Sequence, residues 1–128
     1  MNFPENIKYT KSHEWIKVEG DVAIEGITDF AQEELSDIVF IELPNVGEPV
    51  EAGKACGTIE AVKAVSDMLA AVSGKIIETN TALTEFPENI NQDPYGEGWI
   101  IKIKISNPED VNNLLSAEEY KRFVAEGH

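Results

Sequence analysis

The chain has 128 residues, of which 42% are hydrophobic and 27% are charged, and this balance predicts one compact domain over residues 1–128. Asp and Glu number 24 against 10 Lys and Arg, so the formal charge is -14. This charge argues against nucleic acid and anionic membranes as partners, because phosphate binding needs clustered cations; it favours either a partner with a basic rim or a role in solubility alone.

The first part of the chain predicts a β-hairpin, a short helix and a strand. The runs HEWIKV (13–18) and VAIEGI (22–27) are typical of two strands joined by a glycine turn. Residues 28–35 predict a short helix, which the Thr-Asp pair at its start can cap. The apolar, β-branched run 37–43 predicts a strand with both faces at least partly covered.

The middle of the chain predicts a hairpin with a lysine near its tip. A turn-rich stretch, 46–53, leads into the strand-like run GTIEAV (57–62). The runs DMLAAV (67–72) and KIIETN (75–80) predict two more strands, separated by a Ser-Gly turn. Lys63 lies between the first two of these three runs, among small apolar residues.

The last part of the chain predicts a loop, one strand and C-terminal helices. Residues 81–98 are rich in turn residues and predict a loop, whereas WIIKIKI (99–105) alternates cleanly and predicts a half-buried strand. The Asn-Pro pair at 107–108 predicts a capped helix start, and Ser116 opens a Ser-x-x-Glu capping box. The residues alone therefore predict a mainly β fold with short helices, one of them C-terminal.

The chain offers few residues for a catalytic or metal site of its own. Cys56 is the only cysteine, which excludes an internal disulfide and a thiol metal cluster. Two histidines, His13 and His128, exclude a multi-histidine metal site and leave little for a catalytic triad. No Gly-rich phosphate loop or nucleophile elbow is present. We therefore expect no catalytic residue and no metal ligand.

Lys63 remains as the candidate for chemistry, and three roles are open for it. A Schiff-base or general-base lysine needs burial or a cationic neighbour, whereas Glu60 and Asp67 favour the ammonium form. A lysine that another enzyme modifies must instead be exposed, and the small neighbours Ala61 and Ala64 leave that approach clear. The third role is that of an ordinary solvated lysine.

Four long segments follow one another with few gaps between about Tyr9 and Val124. They are SHEWIKVEGDVAIEGITDFAQEEL, DIVFIELPNVGEPVEAGKACGTIEAVKAVSDM, AVSGKIIETN and DPYGEGWIIKIKI. Together they closely resemble the glycine cleavage system H protein family. The resemblance implies a barrel-sandwich hybrid, a flattened β-barrel of short strands. It also implies that lipoic acid is attached as an amide to the hairpin lysine, which maps onto Lys63.

The resemblance further implies a carrier with four partner enzymes. Glycine decarboxylase, which uses pyridoxal phosphate, would load an aminomethyl group onto the lipoyl arm. An aminomethyltransferase would release ammonia and pass the one-carbon unit to tetrahydrofolate, and dihydrolipoamide dehydrogenase would reoxidise the arm. A lipoate-attaching enzyme is the fourth partner, and the carrier itself is expected to be a monomer.

The family also implies a cleft that shelters the charged aminomethyl arm from water. The residues that map onto this cleft are Ser12, Glu14 and Asp67, and their oxygen atoms suit a protonated amine. We expect His13 to be structural even if it lies near the arm, and Cys56 to be a small core residue.

Several alternatives to this carrier role stay open. One is a structural or binding module with an unmodified Lys63. A lipoyl domain of a 2-oxoacid dehydrogenase would usually have the sequence D-K-A and long Ala/Pro linkers, which are absent. A biotin carrier would usually have methionines where Val62 and Ala64 stand. The last alternative is an H-like protein that relays lipoyl groups to other enzymes.

The expected location is the bacterial cytoplasm. The N-terminus has no apolar segment and no Arg/Ser-rich presequence, and no apolar run approaches membrane-spanning length. The lone cysteine fits a reducing compartment. A mature organellar protein is the alternative.

Overall fold

Two antiparallel β-sheets make up the body of the protein in a computed structural model that describes residues 1–128. The strands are β1 (Lys8–Tyr9), β2 (Glu14–Glu19), β3 (Val22–Ile27), β4 (Ile38–Glu42), β5 (Pro49–Val50), β6 (Ala55–Ala61), β7 (Val65–Leu69), β8 (Gly74–Thr79) and β9 (Ile101–Ile105). The larger sheet has the order β1-β2-β3-β9-β8-β5, and the smaller has the order β4-β6-β7. The sheets are flattened rather than closed into one barrel, and the prediction of a mainly β fold is confirmed.

Short helices lie around the two sheets. They are α1 (Asp29–Leu35), a 3-10 helix (Thr81–Thr84), α2 (Asn89–Gln92), α3 (Glu109–Asn112) and α4 (Ala117–Ala125). Helix α1 begins after Thr28, whose hydroxyl accepts a hydrogen bond from the Ala31 N–H. Helix α4 begins at the predicted capping box, in which Ser116 and Glu119 each bind the other's backbone N–H. No helix reaches the length and apolar character that crossing a bilayer requires.

The hydrophobic core lies in two clusters. The larger joins 16 buried residues from both sheets, among them Ile41 and Ile59 of the smaller sheet and Ile103 of the larger. Each fully buried side chain of this kind contributes about 1.5–3 kcal/mol to folding. The second cluster packs α4 onto β1 and β2, where the rings of Tyr9 and Tyr120 stack with centroids 4.7 Å apart. The sheets are therefore fixed to each other and to the C-terminal helix.

The three-stranded sheet holds the hairpin that carries Lys63. Strands β6 and β7 are antiparallel, and the turn between them is closed by a hydrogen bond from the Ala61 N–H to the Ala64 carbonyl at 2.7 Å. The Val62 N–H donates to the Asp37 carbonyl at 3.0 Å, just before β4. These two bonds fix the tip of the hairpin to the rest of the sheet.

Two strand predictions need adjustment. Both faces of β4 were predicted to be at least partly covered, and the outer face is covered only by about half: Val39 is 52% exposed and Phe40 49%, and the pairing with β6 shifts register between Ile38 and Phe40. The predicted strand 67–72 instead begins at Val65 and ends at Leu69. The next three residues are buried, but their chain turns towards β8.

The C-terminal predictions also need adjustment. The predicted loop 81–98 contains the 3-10 helix and α2, whose apolar residues Leu83 and Ile90 are buried in the core. Asn107 does not cap α3, because its side-chain amide donates to the Asp110 carboxylate at 3.3 Å instead of accepting a backbone N–H. The alternating strand β9 is confirmed.

Candidate functional site

Lys63 is exposed at the tip of the β6–β7 hairpin. Its ammonium group takes part in none of the salt bridges of the structure. The valines on either side, Val62 and Val65, are each 67% exposed, and Ala64 is exposed as well. A primary amine in this position is open to another enzyme from several directions. The burial that a Schiff-base or general-base lysine needs is absent.

A cleft of about 160 Å³ opens beside this hairpin, between β2, α1 and the inner side of β6 and β7. Its walls include Ser12, Glu14 and Asp67, the three residues to which the family resemblance assigned the cleft. The remaining wall is largely apolar and includes Phe30, Ala31 and Leu35 of α1, Ile27 of β3 and Ile59 of β6. The cleft therefore combines a few oxygen atoms with an apolar lining.

Glu14 forms the buried part of the cleft wall and is only 2% exposed. Its Oε1 accepts hydrogen bonds from the hydroxyls of Ser12 and Thr10, and its Oε2 accepts one from the Leu69 N–H at 3.2 Å. Burial raises the pKa of the Glu14 carboxyl, and these hydrogen bonds oppose that rise. Because the Ser12 hydroxyl donates to Glu14, its oxygen is left as an acceptor for an amine.

Asp67 lies at the rim of the cleft and is exposed. In the pairing of β6 with β7, Asp67 is opposite Thr58 and Ser66 is opposite Ile59. Successive residues of a strand face opposite sides of the sheet. Ser66 and Asp67 both border the cleft because β7 is the edge strand of the smaller sheet. Asp67 can therefore contact a group at the mouth of the cleft, whereas Glu14 contacts one inside it.

The cleft has two further ionisable residues: Glu34 was not predicted from the sequence, and His13 was expected to be structural even if it lay near the arm. Glu34, in the last turn of α1, adds a third carboxylate to the wall. His13 also lines the wall, and its backbone adopts a left-handed conformation with φ of 72°. Burial lowers the pKa of His13, and the nearby Glu34 opposes that change. Nothing in the local sequence distinguishes Glu34 from the many other carboxylates.

The Tyr120 hydroxyl connects three parts of the site. It lies 2.7 Å from His13 Nδ1 and 2.8 Å from Thr28 Oγ1, the N-cap of α1. The other ring nitrogen of His13 lies 2.8 Å from the backbone oxygen of His128. Burial raises the pKa of Tyr120 to about 12, so its hydroxyl stays protonated at neutral pH. Helix α4 thus positions both the His13 wall and the α1 wall of the cleft.

A second buried carboxylate lies behind the cleft. Glu25 is fully buried, and its Oε1 accepts a hydrogen bond from the Ala71 N–H at 2.9 Å, while Oε2 has no partner. Burial raises the pKa of Glu25 well above its ordinary value, and the neighbouring Glu14 raises it further. Glu14 binds Leu69 and Glu25 binds Ala71, so the two carboxylates fix the chain segment that follows the hairpin.

The other candidate groups do not form a reactive centre. Cys56 packs against the larger core, with Sγ 3.5 Å from the Met68 carbonyl oxygen, and burial raises the pKa of its thiol. No cluster of three or more His, Cys, Asp or Glu side chains is arranged to hold a metal ion. The site is therefore an accessible amine next to a small acidic cleft.

Comparison with known proteins gives a consistent result over nearly the whole chain. Residues 7–127 match the family model described as glycine cleavage H-protein. The glycine cleavage system H protein of Bacteroides fragilis is 59% identical over 124 residues, which are 97% of this chain and 98% of the relative. The H protein of Symbiobacterium thermophilum is 53% identical over 126 residues, 98% of each chain.

A solved structure is similar as well. The crystal structure of a glycine cleavage system H protein from Mycobacterium marinum superimposes with a TM-score of 0.89 and 43% identity, over 96% of this chain and 99% of that one. The similarity confirms the predicted fold class, a barrel-sandwich hybrid of two flattened sheets with short helices.

Proposed function

The chain belongs to the glycine cleavage H-protein family, and we propose that it carries a lipoyl group as an amide on Lys63. Membership of the family makes it a lipoyl carrier component of the glycine cleavage system rather than a catalytic enzyme. The observation that supports Lys63 as the attachment residue is its exposed, unpaired amine at a hairpin tip among small side chains. A long acyl arm can be attached at this position because no other part of the chain covers the Lys63 amine.

Attachment requires only a nucleophilic amine from this chain. The Lys63 ammonium first loses a proton, and the free amine Nζ then forms a bond to the carbonyl carbon of an activated lipoyl donor. The leaving group departs with the bonding electrons, and the nitrogen loses a second proton. The attaching enzyme supplies the donor. The amide is uncharged, so the formal charge of -14 becomes more negative by one.

The chemistry of the carrier belongs to the attached group and to partner enzymes. Attached to Lys63, a lipoyl group would supply a disulfide able to carry an aminomethyl group between glycine decarboxylase and the tetrahydrofolate-dependent aminomethyltransferase, with dihydrolipoamide dehydrogenase as the partner for reoxidation. Lys63 acts as the tether, which raises the local concentration of the arm at each partner. No residue of this chain needs to catalyse a step.

We propose that the cleft shelters the amine end of the loaded arm. Inside the cleft, the Glu14 carboxylate and the Ser12 oxygen accept hydrogen bonds from a protonated amine, and Asp67 contacts it from the rim. The cleft of about 160 Å³ has room for a small amine. The apolar side chains of Phe30 and Ile59 exclude water from the rest of the space.

The attachment residue is tested by intact mass after incubation with a purified lipoate–protein ligase, lipoic acid and ATP. We expect the wild type and the control Lys54→Arg, another exposed lysine, to gain one lipoyl group. We expect Lys63→Arg to gain none. A Lys63→Arg protein that gains the lipoyl mass would show that another lysine is the attachment residue.

The carrier role is separated from a lipoate-relay role by reconstitution. The lipoylated protein should stimulate glycine-dependent release of carbon dioxide by glycine decarboxylase, whereas a protein that only relays lipoyl groups should not. We propose that the protein acts in the bacterial cytoplasm, and the bacterial origin of the relatives named above supports the bacterial part of this proposal. We also propose that residues 1–128 act as one domain and as a monomer.

A further inference from the structure

Apolar side chains are unusually exposed around the tip of the lysine hairpin. Four large apolar side chains gather there, and they are Val39 (52% exposed), Phe40 (49%), Val62 (67%) and Val65 (67%). The other exposed large apolar residues are distributed over other parts of the chain. A group of exposed apolar side chains next to a functional residue is typical of a protein–protein contact.

The strand register places Phe40 and Val65 on one face of the smaller sheet, and Val39 lies at the register shift next to Phe40. Phe40 of β4 is opposite Glu60 of β6, which in turn is opposite Val65 of β7. Directly opposed residues lie on the same face of a sheet. Phe40, Glu60 and Val65 therefore form one row across the outer face, away from the buried face that carries Ile59. Val62 continues the row towards Lys63.

The charges around this surface are negative. Asp37 precedes β4, Glu60 lies within the row, and Glu42 is exposed on the same strand as Phe40. Lys63 is the one cation among the residues of the tip, and acylation removes its charge. The complementary surface has an apolar centre and a basic rim, because opposite charges steer association and like charges oppose it.

The length of an unmodified lysine side chain determines which partner enzyme has to contact this surface. A lysine side chain extends about 6 Å from its Cα. An enzyme that acylates Nζ must bring its reactive centre within that distance of the hairpin backbone, so its surface covers the neighbouring side chains. A partner that acts on the far end of the lipoyl arm has no such requirement.

We propose that Val39, Phe40, Val62 and Val65 form a docking patch for the enzyme that acylates Lys63, and that this enzyme presents an apolar surface with a basic rim. This inference rests on the proposed attachment of lipoate to Lys63. The patch supplies binding energy for the encounter, and the carboxylates next to it orient the enzyme so that Nζ enters its active site.

The chain offers a matched pair of variants for the test. The double variant Phe40→Ser with Val62→Ser removes the centre of the patch. The control, Phe86→Ser with Val46→Ser, removes residues of the same types elsewhere, with similar exposed fractions of 51% and 63%.

The kcat and KM of acylation are measured with a purified lipoate–protein ligase, lipoic acid and ATP. We expect the patch variant to raise the KM for the carrier roughly tenfold or more, with kcat little changed, since tenfold corresponds to about 1.4 kcal/mol of lost binding. The control should stay within about twofold of the wild type.

The outcomes separate this inference from the proposed function. Acylation of Lys63 with the same KM in the patch variant and the wild type would overturn the docking patch alone. No acylation of the wild type would remove both proposals. Sedimentation gives an independent check: a wild type that dimerises, with a monomeric patch variant, would assign the patch to a second copy of the chain instead.

Salt dependence tests the charge part of the inference. Added NaCl should raise the KM of the wild type, because it screens attraction between exposed charges. The double variant Asp37→Asn with Glu60→Gln should have a higher KM at low salt and a smaller response to NaCl. An equal response in both proteins would contradict a basic rim on the enzyme.

Discussion

The two faces of the β6–β7 hairpin differ sharply although they share the same backbone. The outer face exposes Val62 and Val65 beside Lys63, whereas the inner face buries Ile59 and Met68 to about 1% exposure in the larger core. The inner face also borders the cleft. The outer face is therefore available for binding a partner enzyme, and the inner face stabilises the fold. Substitutions on the outer face should affect partner binding and spare stability, and substitutions on the inner face should lower stability.

The largest effect is expected from truncation on the inner face. Ile59→Ala should lower the free energy of unfolding by about 2–5 kcal/mol, because it leaves a cavity in the core. Val65→Ala, on the outer face of the same hairpin, should change it by less than about 1 kcal/mol. Urea unfolding followed by circular dichroism measures both. Equal losses in the two variants would mean that the faces are not energetically distinct.

The next effect concerns the buried carboxylates behind the inner face. Burial raises the pKa of folded Glu25 above 4.5, so above that pH the folded state binds more protons than the unfolded state. The contribution of Glu25 to stability is therefore fully present at low pH and is lost as the pH rises through the folded pKa. The loss is at most about 1.4 kcal/mol for each pH unit.

Replacing Glu25 with Gln removes this titration. The free energy of unfolding of Glu25→Gln relative to the wild type should increase as the pH rises from 4.5 towards neutrality. Urea unfolding at several pH values measures it, with the exposed Glu51→Gln as the control. A difference that stays constant with pH would show that Glu25 does not titrate in the folded protein over this range.

The smallest effect is expected at the cleft and concerns the loaded carrier. The double variant Glu14→Gln with Asp67→Asn should shorten the lifetime of the loaded form by roughly tenfold, because a charge-assisted hydrogen bond is worth about 1.5–3 kcal/mol. Loss of the loaded mass with time measures the lifetime. The control, Glu51→Gln with Glu97→Gln, removes the same number of negative charges away from the cleft. The lifetime of its loaded form should equal that of the wild type. An unchanged lifetime in the first variant would remove the sheltering role.

The secondary-structure elements that the sequence predicted correctly are those with a local sequence pattern. The β2–β3 hairpin and strand β9 follow from alternating residues and a glycine turn, and the α4 cap follows from a four-residue motif. The resemblance to a family identified Lys63 and three residues that the structure brings to one cleft. These features depend on neighbours in the sequence or on a shared motif.

The remaining features depend on contacts between distant segments. The Tyr120 hydroxyl binds Thr28 Oγ1 across 92 positions, and Glu25 binds the Ala71 N–H across 46. With 24 carboxylates in the chain, no local signal marks Glu25 as buried or Glu34 as part of the cleft. The exposure of Phe40 likewise depends on which elements leave the outer face of β4 uncovered.

The bond from the Val62 N–H to the Asp37 carbonyl has a consequence for engineering. Together with the bond that closes the turn, it ties the backbone next to Lys63 to the body of the protein, so an attached group extends from a defined point of the surface. A graft of residues 61–65 alone onto another scaffold would lose that anchor and leave a backbone donor without its acceptor. A transplanted carrier hairpin should therefore include the segment that begins at Asp37.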